Sequence, residues 1–268
     1  MAFHHLSVQL ASWLNVGVYE NVIYNGRNGI ELSYFNPIIF YRAIEMQLGS
    51  GNSKATVGID VKSNLFKTLQ LYGNLVIGEF VFKDIKNYGS GSWWNKQALQ
   101  LGGKYIDVLG VKNLDLQAEV NLVRPFMYTH NDSTTAFTHY NTELAHPLGA
   151  NFREYIAVLK YQPLNKLYLT GKLMYHYKGL DSAGVNMGGD IFRSYNTRPR
   201  DYGFFIGTGT PVKSLLASFS ASYELLQNLF IDVSIANRSY NVQGQPNQRE
   251  FFFSTGVRWN IGKREFEF

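Results

Sequence analysis

The run Leu114-Asp115-Leu116-Gln117-Ala118-Glu119-Val120-Asn121-Leu122 alternates apolar and polar residues without a break. In an extended strand that order sends the apolar side chains to one face and Asp, Gln, Glu and Asn to the other. On a helix it would scatter the charges around the whole circumference. The pattern recurs at Val57, Ile59 and Val61 against Gly58, Asp60 and Lys62, and at Leu69, Leu71, Gly73, Leu75 and Ile77 against Gln70, Tyr72 and Asn74. It returns from Leu167 to Lys178, from Leu215 to Glu224 and from Leu229 to Ile235. A last strand, Phe251 to Ile261, sets Phe251, Phe253, Val257, Trp259 and Ile261 on one face.

These segments run for about ten residues, the length a tilted strand needs to cross a hydrocarbon layer; soluble sandwiches favour strands of about five or six. The connections also alternate. Ala11 to Trp13, Asn64 to Lys67, Leu109 to Lys112, Pro163 to Lys166 and Leu226 to Asn228 are short, whereas Phe80 to Lys96, Arg124 to Phe152, Gly179 to Val212 and Asn241 to Arg249 are long. Short turns at one end and long loops at the other are the asymmetry of bacterial outer-membrane barrels. The expected fold is therefore all-β, a transmembrane antiparallel outer-membrane β-barrel, with outer-membrane lipid as its solvent.

Composition agrees. Aromatic residues make up 15% of the chain and charged residues 17%, and mean hydropathy is −0.17. That balance suits strands with one face toward lipid and the other toward water. No apolar run approaches the roughly 18 residues of a membrane-spanning helix. Cysteine is absent, which removes disulfides, thiolate metal sites and a cysteine nucleophile. The formal charge is +5, but Lys and Arg are spread singly, so nucleic acid is not an expected partner. The sequence carries no mark of an oligomeric state.

No composition shift divides the chain, so residues 1–268 read as one barrel domain. The pattern yields about eleven strands, an odd number, whereas bacterial barrels close with an even one. Reading Tyr41 to Leu48 as a further strand would restore parity but invert the short and long connections on one side of it. The preferred expectation is that these are the C-terminal 11 or 12 strands of a larger barrel, with the N-terminal strands and the signal peptide missing.

Among candidate binding residues, Trp93 and Trp94 follow a Gly-Ser run in a long loop, where indoles either stack on sugar rings or anchor in lipid headgroups. Arg124, His130, His139 and Tyr140 lie in a polar segment able to hydrogen-bond sugar hydroxyls or simply to cap a long loop. Pro147 and Gly149 are expected to fix a turn, and Arg153 and Glu154 to pair across the lumen. Arg193, Arg198 and Arg200 sit in the glycine-rich segment Gly179 to Thr210, read as either an exterior lid or an inward-folded plug; their guanidinium groups suit carboxylates of an acidic polysaccharide. Asp60, Lys62, Lys104, Asp115, Glu119, Lys172, Glu224, Asp232 and Arg258 fall on the lumen side, with mixed signs that favour internal salt bridges over a selective pore. The spacing of His130, His139 and His146 matches no ligand pattern, so no metal or cofactor is expected. Ser133 near His130 has no recognisable motif, so no enzyme is expected.

Several segments in order resemble the Wzi-like capsule-assembly family and its gliding-motility-associated relatives. They are Phe35 to Glu45 (Phe-Asn-Pro-Ile-Ile-Phe-Tyr-Arg-Ala-Ile-Glu), Leu71-Tyr72-Gly73 with Gly78-Glu79-Phe80, Leu114 to Glu119 with Val123-Arg124-Pro125, His139-Tyr140-Asn141, and Ala145 to Glu154. The resemblance implies a non-enzymatic barrel, larger than this chain closes alone, whose exterior loops help retain capsular or exopolysaccharide at the cell surface. The end Arg264-Glu265-Phe266-Glu267-Phe268 resembles the signal read by the barrel assembly machinery, a partner during insertion. A solute or sugar diffusion channel, or a structural partner of gliding or secretion machinery, is the competing expectation.

Overall fold

A computed structural model of the chain describes residues 1–25, 32–36, 40–48, 53–79 and 88–260. The strands are β1 (Ala2–Ala11), β2 (Leu14–Tyr24), β3 (Ser53–Leu65), β4 (Leu69–Glu79), β5 (Lys96–Tyr105), β6 (Leu114–Val123), β7 (Thr138–His139), β8 (Thr142–Glu143), β9 (Phe152–Leu164), β10 (Leu167–Leu180), β11 (Thr210–Leu226), β12 (Leu229–Val242) and β13 (Gln248–Trp259). Eleven of them form one sheet in the order β1-β2-β3-β4-β5-β6-β9-β10-β11-β12-β13, every pair antiparallel, while β7 and β8 form a separate small hairpin. The eleven strands expected from alternation are these eleven. None of the helices among the described residues is long and apolar enough to cross a membrane.

Because side chains alternate and register is continuous, each face of the sheet is made of rows. One row runs Leu6, Val18, Ile59, Leu75, Leu99 and Leu122 across β1 to β6; another runs Leu116, Leu159, Gly171, Phe219, Ile235 and Phe253 across β6 to β13. On the opposite face Ser7, Gly17, Asp60, Asn74, Gln100, Asn121, Glu154, His176, Ser214, Tyr240 and Gln248 make a row with no apolar side chain across the whole sheet. All the lumen-side residues expected from alternation share the face of this polar row. The apolar face has no second layer over it: Leu6 is 63% exposed, Phe253 63% and Val257 73%. A soluble protein does not leave a contiguous apolar surface of this extent uncovered, and lipid is the solvent that matches it.

Turns at 12–13, 66–68, 106–113, 165–166 and 227–228 join strands at one end, and the connections 25–52, 124–151 and 181–209 at the other. Residues 243–247 join β12 to β13 at this second end and are shorter than the rest. Residues 80–87 of the β4–β5 connection, and the expected aromatic signal at Phe266 and Phe268, lie outside the described residues.

Tyr41–Leu48 is a helix, α1, and not the extra strand that would have restored parity. Its buried Tyr41, Ile44 and Glu45 fall at helical spacing, and Tyr41 and Ile44 pack with Val22, Tyr34 and Ala55. The Glu20 carboxylate accepts the Tyr41 backbone N–H at 2.8 Å, satisfying one of the donors a helix start leaves open.

Among the described residues the sheet is open along β1 and β13. Both strands run from the long-loop end to the short-turn end, so pairing them directly would be parallel, in a sheet whose every other pair is antiparallel. Every described residue of β13 is exposed.

Candidate functional site

The buried interior lies at the long-loop end, where 124–151 and 181–209 fold onto the polar face. Ala98, Val123 and Phe152, which share the face of Gln100, Asn121 and Glu154, pack against Met127, Tyr128, Ala150 and Ile191 from the loops. The glycine-rich segment is thus the inward-folded plug of the two arrangements open to it. Two buried lysines of the wall and Arg124 at the start of the loop hold it in place. Lys54 Nζ donates to Met127 O at 2.8 Å and to Thr129 O at 2.6 Å. Arg124 Nε donates to Asn95 O at 2.7 Å, and its Nη2 reaches Ser92 O at 3.1 Å and Phe204 O at 3.3 Å. Lys96 pairs with Glu79 at 2.9 Å and lies 4.1 Å from the Tyr195 ring centre and 4.6 Å from that of Trp93. Asn151 ties the loops together: its Nδ2 donates to Gly179 O and Thr208 O at 3.0 and 2.7 Å, and its Oδ1 accepts from Gly207 N at 2.7 Å.

This burial corrects part of the expected site. Trp93 is 2% exposed, stacked among Trp94, Tyr195 and Phe126, so it is neither a headgroup anchor nor open to a polymer. Arg124 is spent on loop carbonyls. His130 is 2% exposed and its Nδ1 pairs with Thr135 Oγ1; burial, then the Lys54 charge, push its pKa down to about 4. Arg193 is engaged by Asp181 and Gly184 O. Arg153 and Glu154 do not pair, because adjacent strand residues point to opposite faces: Arg153 lies over the Tyr177 ring at 4.8 Å, and Glu154 accepts from Asn121 Nδ2 at 3.1 Å and contacts His146 Nε2 at 3.0 Å. The turn at Pro147 and Gly149 is present, closed by Gly149 N to His146 O at 2.8 Å.

Several residues remain accessible where the 90–93 and 201–204 segments meet. Residues 90–93 are zipped to 201–204 by Gly203 N to Ser90 O and Phe204 N to Gly91 O, both 2.8 Å, and by Trp93 N to Asp201 O at 3.1 Å. Gly91 has φ +63°, and a Cβ there would sit 2.8 Å from Phe204 N, so the zipper needs glycine. The zipper leaves Trp94 42%, Tyr202 54% and Phe205 47% exposed. Arg198 lies 3.7 Å from the Trp93 ring centre and forks onto Asp201 Oδ1 at 2.9 and 2.7 Å, while exposed Arg200 reaches Gly203 O at 3.3 Å. Nearby in sequence to the corrected residues, β7 and β8 raise His139 and Tyr140 on a tight hairpin; Tyr140 and Asn141 both have positive φ, 46° and 59°, as a type I′ turn requires, and Tyr140 is 90% exposed.

Sequence reasoning missed Tyr202, Phe205, Lys54 and Lys96. No local pattern marks them, since each acts through a partner tens of residues away. Among the described residues no group of three or more His, Asp or Glu is arranged to hold a metal ion.

A single-layer antiparallel sheet with an apolar outer face, a polar inner face and inward-packed long loops defines the wall of a transmembrane β-barrel of the bacterial outer-membrane type. Neither a known family profile nor a curated protein sequence matches the chain. Two solved structures resemble it: the outer membrane channel DcaP of Acinetobacter baumannii, at 9% identity and TM-score 0.47 over 95% of this chain and 61% of that one, and the CymD monoaromatic hydrocarbon channel, at 10% identity and TM-score 0.38 over 97% and 72%. The chain thus spans less than two thirds of the length of DcaP. The class rests on the chain's own geometry.

Proposed function

We propose that the barrel binds a surface polysaccharide without turning it over and so helps retain capsular or exopolysaccharide at the cell. The observation that carries this is the exposure of Trp94, Tyr202 and Phe205, which flank the backbone pairing of 90–93 with 201–204, together with exposed Arg200 two residues before Tyr202. Exposed rings offer flat apolar faces to sugar C–H groups, and guanidinium groups suit uronate carboxylates. Tyr140 and His139 at the hairpin tip add a second aromatic contact. The segments resembling Wzi-like proteins agree with this reading, and the plug disfavours a simple open pore.

The test is polysaccharide binding by the detergent-extracted protein, with Trp94→Ala/Tyr202→Ala as the variant. Loss of about tenfold in affinity, ~1.4 kcal/mol, is expected. Unchanged binding by the variant, or no binding by the parent, removes the proposal. A second reading, a solute diffusion channel, draws on the polar row that crosses all eleven strands. Steady conductance in planar bilayers would favour it; silent bilayers would leave the retention role.

A further inference from the structure

The lipid-side face of β9 to β11 is banded. Tyr161 and Tyr223 stand near its short-turn end, Tyr155, Tyr175 and Tyr177 near its long-loop end, and the outward positions between them are apolar or glycine. Tyr155 and Tyr175 stack with ring centres 6.3 Å apart. Ten residues of β10 separate Leu167, the partner of Tyr223, from Tyr177. That is about 33 Å along a strand and about 25 Å after a ~40° tilt, the height of the apolar band in outer-membrane barrels. Tyr177 therefore marks the level at which hydrocarbon gives way to headgroups on the long-loop side. At that level the row Arg153, Tyr177, Lys213 and Asn241 crosses β9 to β12.

Arg153, Lys213 and Arg249, the last paired in register with Ser239, are the charged residues on the outward face of β9 to β13, and all are positive. All are exposed, and among the described residues none pairs with a carboxylate. The inner face of the same strands instead balances its charges, with Arg258 on Asp232 at 2.8 Å and Arg238 near Glu250 at 3.6 Å. Cations that only fix the depth of a barrel belong at both interfaces; at the short-turn end this face has tyrosines and no cation. An open groove of ≈ 680 Å³ holds Arg153 and Lys213 with Tyr175, Tyr177, Leu215 and Asn241 in its lining. The two cations stand two strands apart, about 10 Å, with the Tyr177 ring between them.

We propose that this groove seats a phosphate-bearing lipid of the outer leaflet, its phosphate held by Arg153 and Lys213 and its acyl chains lying along the apolar rows below. Charge and position select the occupant together. Unpaired cations at the edge of a low-dielectric layer attract an anion more strongly than cations in open water do, guanidinium forks onto phosphate oxygens, and Asn241 adds an amide donor in the same row. The groove continues directly into the apolar face through Leu215, so a ligand that is anionic at one end and hydrocarbon at the other matches it along its whole length. This site lies on the lipid side of the wall and does not depend on the polysaccharide reading.

The experiment is native mass spectrometry of the whole protein in neutral detergent, titrated with bisphosphorylated lipid A, with the same lipid dephosphorylated, and with phosphatidylcholine. The parent retains the phosphorylated lipid in preference to the other two, and millimolar inorganic phosphate does not displace it. Arg153→Gln/Lys213→Gln, two exposed positions whose loss leaves the melting temperature unchanged, weakens that retention about thirtyfold. Lys160→Gln/Lys172→Gln removes the same charge from the lumen side of β9 and β10 and retains the lipid as the parent does. Equal retention by the Arg153/Lys213 variant and the parent, or no preference for the phosphorylated lipid, would reduce the cations to interfacial anchors and overturn the proposal. Displacement by inorganic phosphate would make the site one for a free anion, and an oligomer that the Arg153/Lys213 variant dissociates would put a second copy on this face; either result overturns it too.

Discussion

His130 shows how far a single side chain departs from its sequence reading. Among polar neighbours in the sequence it reads either as a sugar contact or as part of the cap of a long surface loop; in the fold it is buried beside Thr135 and near the Lys54 ammonium, and its pKa falls to about 4. An exposed histidine in an opened loop titrates near 6.5. Between those values the opened loop takes up a proton that the closed loop refuses, so protons favour opening. The closed plug therefore keeps its full stability above about pH 6.5 and loses it progressively as pH falls toward about 4. Hydrogen exchange of residues 124–151 should accelerate between pH 7 and 4.5 beyond the intrinsic change, while β11 and β12 stay protected. His130→Gln should abolish that excess; an identical profile in the variant would show that another group controls the plug. Lys54 makes the same point about position. It occupies one more polar slot in the alternation of β3, yet its charge supports two carbonyls of a loop more than seventy residues away.

At the scale of the element, the strands are set by local sequence, and their inner packing is set by cross-strand neighbours. Tyr72 lies flat over Gly102, its register partner on β5, and donates to Glu119 Oε2 at 2.6 Å. A Cβ at Gly102 would meet the Tyr72 ring at 2.4 Å. Gly102→Ala should therefore push the ring aside, break its bond to Glu119 and cost about 1–3 kcal/mol, measured by urea unfolding from lipid vesicles. Gly171→Ala on β10 is the control, since nothing lies within 4 Å of its added carbon, and it should be neutral within experimental error. Equal effects at the two positions would refute the ring-over-glycine account. The helix α1 was also written in the sequence, as Tyr41, Ile44 and Glu45 at helical spacing, but a run of eight residues is too short for that spacing to outweigh a strand reading. Packing on Val22 and the Glu20 cap make it helical.

At the scale of the whole molecule, the governing fact is that the described residues form an eleven-stranded sheet in which neither edge strand has a second partner among them. Edge strands carry rows of open backbone donors and acceptors, which hydrocarbon does not tolerate. Closure by antiparallel pairing needs an odd number of further strands, on the same polypeptide or supplied by another copy. The expected outcome of intact-mass analysis of the outer-membrane protein is a polypeptide well above 30.5 kDa. A mass near that value would instead require closure between copies or a parallel seam, and crosslinking β1 to β13 would separate those two.

The sequence by itself determined the wall: period-two alternation assigns each residue to lipid or lumen, and turn and loop lengths give orientation, because both depend only on near neighbours. It also contained the aromatic residues of the long-loop end, without indicating which of them the loops bury and which they leave exposed. Tertiary structure alone decided that Trp93, Arg124 and His130 are buried while Trp94, Tyr202 and Phe205 stay exposed around the backbone pairing of 90–93 with 201–204. Those outcomes depend on where the 124–151 and 181–209 loops come to rest. Their resting place is fixed by contacts such as those of buried Lys54 on β3 with the Met127 and Thr129 carbonyls and of Lys96 on β5 with the Tyr195 ring, a coupling between positions far apart in the chain that no local periodicity records.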